Sequence, residues 1–338
     1  MNKLNNTDIF DSGTEGKLQW IKVSLAIFFL ALVIMVNLLA GCTVTFKKTA
    51  PPPERKTSFP MTVIDDSGRI VTIPEKPTRI VSLAPSNTEI LFALGLADMV
   101  VAVSDYSDYP PEAKEKPVIS VYPTPNMEQL IDLTPSLILA AEIQTESIIS
   151  QLDEMGFTVF VLAPQTLGEI LESIIAVGEI TGKAKEASRL VAEMQTRIKA
   201  VTDKTNSLPQ DQRSRVFYIA WHDPLMAPGS GTFQDELIRK AGGTNIARDL
   251  TGWAIIALET VVQANPEVMI ASVSYATGED LSFQFIKEEL RLNNTDARRN
   301  DQIYGINEDL ISRPGPRIVE ALELLAKMLH PEIFGVAN

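Results

Sequence analysis

The sequence of 338 residues predicts an α/β protein of two lobes, each with a mostly parallel sheet, joined by a single long rigid helix. Three observations support this fold class. Short β-branched runs alternate with helical patterns, residues 183–206 contain no Gly or Pro, and a helix–turn–strand pattern recurs at an offset of 131 residues. With 45% hydrophobic and 22% charged residues, the chain has the composition of a globular protein with an ample core.

The first half of the chain predicts a β-hairpin followed by a series of parallel strands. Residues 61–64 and 70–73 are short apolar runs that flank Asp65-Asp66-Ser67-Gly68, a hairpin signal. Ser86-Asn87-Thr88-Glu89 fits a capping box, and Gly95 provides a left-handed stop for the helix that it opens. Further strands are expected at residues 79–83, 99–103, 137–140 and 158–162.

The middle of the chain predicts the connecting helix. A second capping box at residues 166–169 opens a helix that Gly182 closes. From Lys183 to about Asn206 the apolar residues follow helical spacing, and a helix of that length spans about 35 Å. We interpret it as a strut between two lobes, with a surface helix of one domain as the alternative. In the second half, strands are expected at 215–220, 268–273 and 302–306, and helices at 233–241 and 317–329.

Glu128 and Glu259 begin the two copies of an internal repeat. Each glutamate opens a short helix, and a proline seven residues later, Pro135 or Pro266, precedes an apolar strand. A glutamate near a helix start is favoured by the helix dipole, so either one alone is ordinary. The repeat, however, places one carboxylate at equivalent points of both lobes.

The amino end of the chain is typical of an export segment. An apolar run of 18 residues, Val23–Ala40, ends at Leu39-Ala40-Gly41-Cys42, which resembles the bacterial lipobox with Cys42 as the acylated residue. An uncleaved membrane anchor is the alternative. Both place the bulk of the chain outside the cytoplasmic membrane. The predicted organisation is a lipoprotein signal peptide over 1–41, a lipid-anchored flexible tether over 42–58, an N-terminal lobe over 59–182, a connecting helix over 183–207 and a C-terminal lobe over 208–338.

The charge and the rare residue types exclude several classes of function. One Cys and two His are too few for a disulfide framework or for a zinc or iron–sulfur centre. A formal net charge of -13 argues against a nucleic-acid partner. Gly229-Ser230-Gly231-Thr232 resembles an anion-binding loop, but a plain turn with a helix cap is favoured. His222 with Asp223 leaves an anchored enzyme as an alternative function.

Five aromatic residues are predicted in loops that follow strands: Tyr106, Tyr109, Tyr122, Trp221 and Trp253. Loops at the carboxyl ends of parallel strands are where open α/β sheets bind ligands. Aromatic side chains there suit a bulky, flat ligand. The alternative is that about half of them plug the ends of the two cores.

Three segments carry a resemblance to a known family. Residues 79–89, read as Arg-Ile-Val-Ser-Leu-Ala-Pro-Ser-Asn-Thr-Glu, are followed by Tyr-Ser-Asp-Tyr-Pro-Pro at 106–111 and by Ser-Arg-Pro-Gly-Pro-Arg at 312–317. Over about residues 60–332 the chain resembles the cobalamin and ferric-siderophore family of solute-binding proteins of ABC importers. The resemblance implies two lobes bridged by one rigid helix, with the ligand in the cleft between them.

The resemblance also implies a ligand and the residues that contact it. Tyr106, Tyr122 and Trp253 fall on cleft positions that are aromatic in the cobalamin binders, with Tyr122 in place of a Trp. Asp309 and Arg313 match polar cleft contacts, although their spacing also fits a structural ion pair. A corrinoid is therefore the expected transported ligand, and no resident cofactor or metal is implied.

Three positions depart from the pattern of the cobalamin binders. Ala141 replaces a cleft Trp, and Trp221 and His222 add bulk where those proteins have smaller or apolar residues. We therefore also expect Trp221 and His222 near the ligand. A different corrinoid, a ferric siderophore or haem remains an alternative ligand, and coordination of cobalt by His222 remains open.

The resemblance gives the repeated glutamates a role. Glu128 and Glu259 match the two docking carboxylates, one per lobe, that the family presents to arginines of the permease. Charge pairs of this kind orient partners more than they add affinity. The expected partners are therefore the ligand, an ABC permease with its ATPase, and the membrane through lipidated Cys42.

Overall fold

A computed structural model describes residues 58–122, 124–274 and 280–337. The predicted signal peptide, the acylation site Cys42 and all of the tether except Ser58 lie outside these ranges. Within the three ranges, no helix is both long enough and apolar enough to cross a membrane.

The N-terminal lobe consists of a hairpin, a parallel sheet and helices on both faces of that sheet. Its strands are β1 (Met61–Ile64), β2 (Ile70–Ile73), β3 (Ile80–Ser82), β4 (Val100–Ser104), β5 (Val118–Ile119), β6 (Leu137–Ala141) and β7 (Val159–Leu162). Its helices are α1 (Pro85–Ala93), α2 (Met127–Leu133), α3 (Glu146–Glu154) and α4 (Leu167–Thr181). The hairpin and the strands β3, β4, β6 and β7 stand within a residue or two of their predicted positions, whereas β5 was not predicted.

The five-stranded sheet of this lobe is buried on both faces. Its order is β5-β4-β3-β6-β7, and all neighbouring strands are parallel. Ile80 and Leu137 point into a core that includes residues of α1 and α4, whereas Val81 and Ile138 point into a second core with α2 and α3. Burial on both sides explains why these strands read as continuous apolar runs.

Helix α5 (Ala184–Thr205) follows α4 after a tight left-handed turn. The predicted capping box of α4 is present. The Thr166 hydroxyl oxygen accepts a hydrogen bond from the backbone N–H of Glu169, and the Glu169 carboxylate accepts one from the backbone N–H of Thr166. Gly182 has a φ of 70°. A side chain at Gly178 would collide with Ala187, so this glycine lets α4 and α5 pack closely.

The C-terminal lobe repeats the α/β plan and adds a small antiparallel sheet. Its strands are β8 (Arg215–Ile219), β9 (Trp221–His222), β10 (Leu225–Pro228), β11 (Thr244–Asn245), β12 (Trp253–Ile255), β13 (Val268–Val273) and β14 (Ile303–Asn307). Its helices are α6 (Phe233–Lys240), α7 (Leu258–Ala264), α8 (Leu281–Glu288), α9 (Asp296–Arg299), α10 (Glu308–Ser312), α11 (Ile318–Leu329) and α12 (Pro331–Phe334). The parallel sheet has the order β11-β8-β13-β14, and the antiparallel sheet has the order β12-β10-β9.

The two lobes share one hydrophobic core. A single cluster of buried residues continues from β3, α1 and α4 through α5 to α6, α11 and the strands of the C-terminal lobe. The Arg197 guanidinium of α5 also donates to both carboxylate oxygens of Glu323 on α11, at 2.8 and 2.7 Å. The predicted fold class, two α/β lobes with mostly parallel sheets joined by one long helix, is confirmed.

The internal repeat has the same structure in both lobes. Helices α2 and α7 each end at a non-glycine residue in the left-handed conformation, Thr134 with φ 43° and Asn265 with φ 46°. The strands that follow, β6 and β13, each lie in the interior of their parallel sheet. The repeated sequence pattern therefore encodes a helix, a left-handed turn and a buried strand at the 131-residue offset.

Two local predictions are wrong. The capping box at Ser86–Glu89 does not form, because Pro85 already starts α1 and the N-cap residue is Ala84, whose side chain cannot accept a hydrogen bond. Trp221 and Trp253 do not lie in loops but in the short strands β9 and β12. Strands of two or three residues are too short to show an alternating pattern.

Candidate ligand-binding cleft

A cavity of about 240 Å³ lies between the two lobes. The N-terminal lobe lines it with residues 141–143 and 162–165, which follow or end strands β6 and β7. The C-terminal lobe contributes Phe233, Trp253 and Pro314. The cavity therefore lies at the carboxyl ends of parallel strands, as expected for an open α/β sheet.

A second cavity of about 230 Å³ lies in the C-terminal lobe. Its lining includes Ala220 and Trp221 after β8, Ser272 and Ser274 at the end of β13, and Glu308 after β14. This cavity too lies at the carboxyl edge of a parallel sheet. We refer to these two spaces as the cleft cavities.

The aromatic residues of the N-terminal lobe stand on loops. Tyr106 follows β4 and Tyr122 follows β5, and both side chains are exposed. Tyr109 is exposed as well, and its ring lies 3.8 Å from the guanidinium carbon of Arg317 in a cation–π contact. With Trp221 and Trp253, all five aromatic residues are exposed, so the alternative that about half of them plug the cores is wrong.

The aromatic residues of the C-terminal lobe stand on the small antiparallel sheet. Trp221 is 50% exposed and Trp253 is 46% exposed. The indole nitrogen of Trp221 donates to the carbonyl oxygen of Asp223 at 2.7 Å, which fixes the ring.

His222 is directed to the other face of β9, because successive strand residues alternate. Its ring centroid lies 6.4 Å from that of Phe285. Its buried Nδ1 has no hydrogen-bond partner within the described ranges. Ligand contact by His222 stays a prediction.

Three charged residues connect the lobes beside the cleft. The Glu89 carboxylate of α1, whose side chain is 2% exposed, accepts from Arg317 Nε at 2.9 Å and from Arg313 Nη1 at 3.3 Å. Burial acts to lower the pKa of Arg317, but the hydrogen bond to Glu89 and the charge of Glu89 outweigh burial, so this pKa is raised. Glu89, expected as a cap of its own helix, instead pairs with two arginines of the opposite lobe.

Arg313 also contacts both lobes. It donates to Asp309 of α10 at 2.6 Å, to Asp108 at 2.7 Å and to the carbonyl oxygen of Tyr106 at 3.2 Å. Burial acts to raise the pKa of Asp108, but the hydrogen bond and positive charge of Arg313 outweigh it, so this pKa is lowered. The ion pair between Asp309 and Arg313 is therefore present, and a ligand contact by either residue stays a prediction. We call Glu89, Asp108, Asp309, Arg313 and Arg317 the interlobe network.

The repeated glutamates are both exposed and differ in their surroundings. Glu128 stands in the first turn of α2 and makes no ion pair with another residue of the described ranges. Glu259 stands in the first turn of α7 and lies 3.4 Å from Arg291. Arg291 is shared with Glu289 at 2.9 Å.

The candidate anion-binding loop is a helix cap. Thr232 accepts from the backbone of Asp235 at 3.2 Å, and Ser230 donates to the carbonyl oxygen of Leu250. Asp235 and Glu236 fill the first turn of α6, where an anion would otherwise sit. In the part of the chain that the structure describes, no three or more His, Cys, Asp and Glu residues form a group suited to a metal ion.

A cavity larger than the cleft cavities, about 550 Å³, lies elsewhere on the boundary between the lobes. It is bordered by Phe92 of α1, Leu190 and Met194 of α5, and Tyr109 and Pro316. None of the predicted ligand-binding residues lines it. Trp253 and Trp221 each line one of the cleft cavities, which favours these as the ligand site, whereas Tyr109 borders the larger cavity.

Sequence reasoning missed several residues of this region. Ile143 and Ile255 are exposed beside the cleft aromatics, and Asp108 joins the interlobe network. Glu89 and Arg317 stand inside the family segments, but their pairing joins positions 228 residues apart. A local pattern of residue types carries no signal for such a contact.

The fold and the cleft together define a solute-binding protein of the two-lobed type. The sequence profile of the periplasmic binding protein family matches residues 80–310, and this chain belongs to that family. Members of the family are extracytoplasmic substrate-binding proteins of ABC transporters, and the chain is one of them.

Individual relatives agree with this assignment. The chain is 33% identical over 310 residues to an uncharacterized ABC transporter substrate-binding lipoprotein of Bacillus subtilis, covering 90% of this chain and 96% of the relative. The periplasmic vitamin B12-binding protein of Vibrio cholerae has 30% identity and a TM-score of 0.65, covering 76% of this chain and 98% of that one. The periplasmic haem-binding protein of Roseiflexus sp. RS-1 has 26% identity and a TM-score of 0.67, covering 77% and 99%.

Proposed function

We propose that this chain is a lipid-anchored receptor that binds cobalamin or a related corrinoid between its lobes and delivers it to an ABC permease. The observation that carries this proposal is the set of exposed aromatic residues, Tyr106 and Tyr122 on one lobe and Trp221 and Trp253 on the other. Exposed apolar patches on a protein often mark binding sites, and Trp253 and Trp221 each line a cavity at the carboxyl edge of a parallel sheet. Binding and delivery involve no chemical step.

The two aromatic walls suit a ligand with large flat faces. Aromatic rings supply broad apolar contact and a polar edge, which matches a macrocycle with polar substituents. The relative from Vibrio cholerae is named for vitamin B12 and shares this fold at 30% identity. The exposed aromatic residues and the likeness to this relative support a corrinoid as the proposed ligand.

Asp309 supplies the polar contact of the proposed site. Its carboxylate is partly exposed, whereas the side chain of Arg313 is largely enclosed by Asp309, Asp108 and Glu89. In this arrangement Arg313 orients Asp309, and Asp309 accepts hydrogen bonds from amide groups at the edge of the ligand. Charge-assisted hydrogen bonds of this kind fix orientation as well as adding affinity.

Docking to the permease is assigned to Glu128 and Glu259. Both are exposed and stand at equivalent points of the repeat, so one carboxylate per lobe can face two basic sites of a partner. Cys42 is proposed as the lipid attachment point. Two or three acyl chains attached there would hold the receptor at the outer face of the membrane. The Bacillus subtilis relative is named a lipoprotein.

Haem is the second candidate ligand. The Roseiflexus relative is named for haem and has the same fold at 26% identity. His222 follows Trp221 on β9 with its side chain on the opposite face, and its buried Nδ1 has no hydrogen-bond partner within the described ranges, which leaves an imidazole nitrogen of the kind that ligates haem iron.

A calorimetric titration tests the ligand assignment. The full chain in detergent is titrated with cyanocobalamin, haem and a ferric hydroxamate siderophore, with matched detergent blanks. Cyanocobalamin is expected to bind with a Kd below about 10 μM. Tight binding of haem or the siderophore without any corrinoid binding would contradict the proposal.

A further inference from the structure

The small antiparallel sheet of the C-terminal lobe has one face made of apolar side chains. Directly paired residues of antiparallel strands share a face. Trp221 pairs with Met226, and Met226 pairs with Ile255, so these three side chains form a row across β9, β10 and β12. Pro228 pairs with Trp253 and forms a second row on the same face. We call these five residues the apolar platform.

The other face of the same sheet packs against the hydrophobic core of the C-terminal lobe. Leu225 and Ala227 of β10 are buried in the inner cluster of the C-terminal lobe, and they alternate with Met226 and Pro228. The sheet is therefore fixed by burial on one side. On the platform side Trp221, Trp253 and Ile255 are exposed, Met226 is half-buried and Pro228 is buried. Ile255 is 68% exposed and lies in one row with Trp221 and Met226, so its exposed surface belongs to a contiguous apolar patch, which is a feature of binding sites.

The platform connects the two cleft cavities. Trp253 at one end lines the cavity between the lobes, and Trp221 at the other end lines the cavity of the C-terminal lobe. Neighbouring strands are about 4.8 Å apart, so three strands give a surface about 10 Å across. None of the five side chains carries a charge, and the indole N–H of Trp221 is already bonded to Asp223.

We propose that the apolar platform is the ligand wall of the C-terminal lobe and that Met226 and Ile255 select ligands with one broad, flat, apolar ring face. This inference rests on the proposed function and narrows its ligand class. A flat ring system covers both rows at once, whereas a compact, strongly hydrated ligand would leave Ile255 and Met226 without apolar contact. The two residues are thus specificity determinants in addition to the tryptophans.

Paired substitutions test this proposal. Ile255→Thr and Met226→Thr remove apolar surface and keep a residue suited to a strand. Ile70→Thr is the matched control, because Ile70 is also on an antiparallel strand, is 76% exposed and lines neither cleft cavity. Each variant of the full chain is titrated in detergent with cyanocobalamin and with haem, and its melting curve is recorded to check the fold.

The platform predicts a graded loss of affinity. Each platform substitution should raise the Kd about 5-fold and the double variant about 20-fold, while Ile70→Thr stays within 2-fold of wild type. If wild type binds cyanocobalamin and the double variant binds it equally well, the platform proposal is wrong and the proposed function stands.

Three further outcomes bear on the two proposals. If only haem binds and the double variant weakens it, the platform is supported while the corrinoid assignment fails. If the variants keep their affinity but lose transport, the platform contacts the permease and the inference is overturned. If neither ring ligand binds wild type, both proposals are wrong.

Discussion

The two lobes share one plan, yet the aromatic residues that we propose as the two walls of the cleft stand on different elements in each lobe. In the N-terminal lobe the aromatic residues Tyr106 and Tyr122 stand singly on loops after parallel strands. In the C-terminal lobe Trp221 and Trp253 stand on a three-stranded sheet whose other face is buried. A side chain on a strand that is packed from behind loses little conformational freedom when a ligand binds, whereas an exposed side chain on a loop loses more. We therefore propose that the C-terminal wall is the rigid template and the N-terminal wall the adaptable cover.

The largest expected effect concerns a feature that the lobes have in common. Replacing both repeated glutamates, Glu128→Ala with Glu259→Ala, should abolish transport and leave the ligand Kd within 2-fold, because both residues lie on short helices outside the cleft cavities. Uptake of labelled cobalamin by cells and calorimetry of the purified protein measure the two properties.

A matched pair of exposed glutamates controls for charge alone. Glu146→Ala with Glu288→Ala also removes one carboxylate from each lobe and should leave uptake unchanged. A loss of ligand affinity in the Glu128 and Glu259 double variant would refute the docking role.

The interlobe network should give the next largest effect, on stability. Glu89→Ala leaves Arg313 and Arg317 without their enclosed carboxylate, and it should lower the free energy of unfolding by about 3 kcal/mol. Lys199→Ala breaks the exposed pair with Asp203 and should cost less than about 0.5 kcal/mol. Urea unfolding measures both values. Equal effects of the two substitutions would show that the network does not join the lobes.

One substitution in each wall tests which wall contributes more to ligand affinity. Trp253→Ala should weaken ligand binding about 30-fold, which corresponds to a hot-spot residue of about 2 kcal/mol. Tyr122→Ala should weaken it only about 5-fold, since part of the contact energy of a loop residue is lost in ordering the loop. Calorimetry measures the Kd of both variants. A larger loss of affinity in Tyr122→Ala than in Trp253→Ala would reverse the assignment of template and cover.

The smallest expected effect is a pH dependence of the free energy of unfolding that comes from Asp108, at the boundary between the lobes. Arg313 lowers the pKa of Asp108 from 3.8, so the ionised carboxylate stabilises the folded protein at pH values above 3.8, and this contribution is lost as the pH falls through the lowered pKa. Asp108→Asn should therefore be less stable than wild type at neutral pH and should approach wild type in acid. Urea midpoints measured from about pH 2 to pH 7 test this, and a constant difference across that range would exclude it.

What the sequence could predict depends on whether a feature is set by a local pattern of residues or by contacts between distant parts of the chain. The parallel strands, the capping box at Thr166 and the repeat at Glu128 and Glu259 depend on local patterns, and the structure has them where expected. The platform was missed because β9 has two residues and β12 has three. The pairing of Glu89 with Arg317 was missed because it depends on how the chain returns after 228 residues.

Hydrogen–deuterium exchange with and without cyanocobalamin tests most directly the claim that the ligand lies between the two walls. Backbone amides that a ligand stabilises exchange more slowly. We predict joint protection of β9 and β12 in the C-terminal lobe and of the loops around Tyr106 and Tyr122 in the N-terminal lobe. Protection confined to one lobe, or centred on Phe92 and Leu190 at the 550 Å³ cavity, would contradict the account.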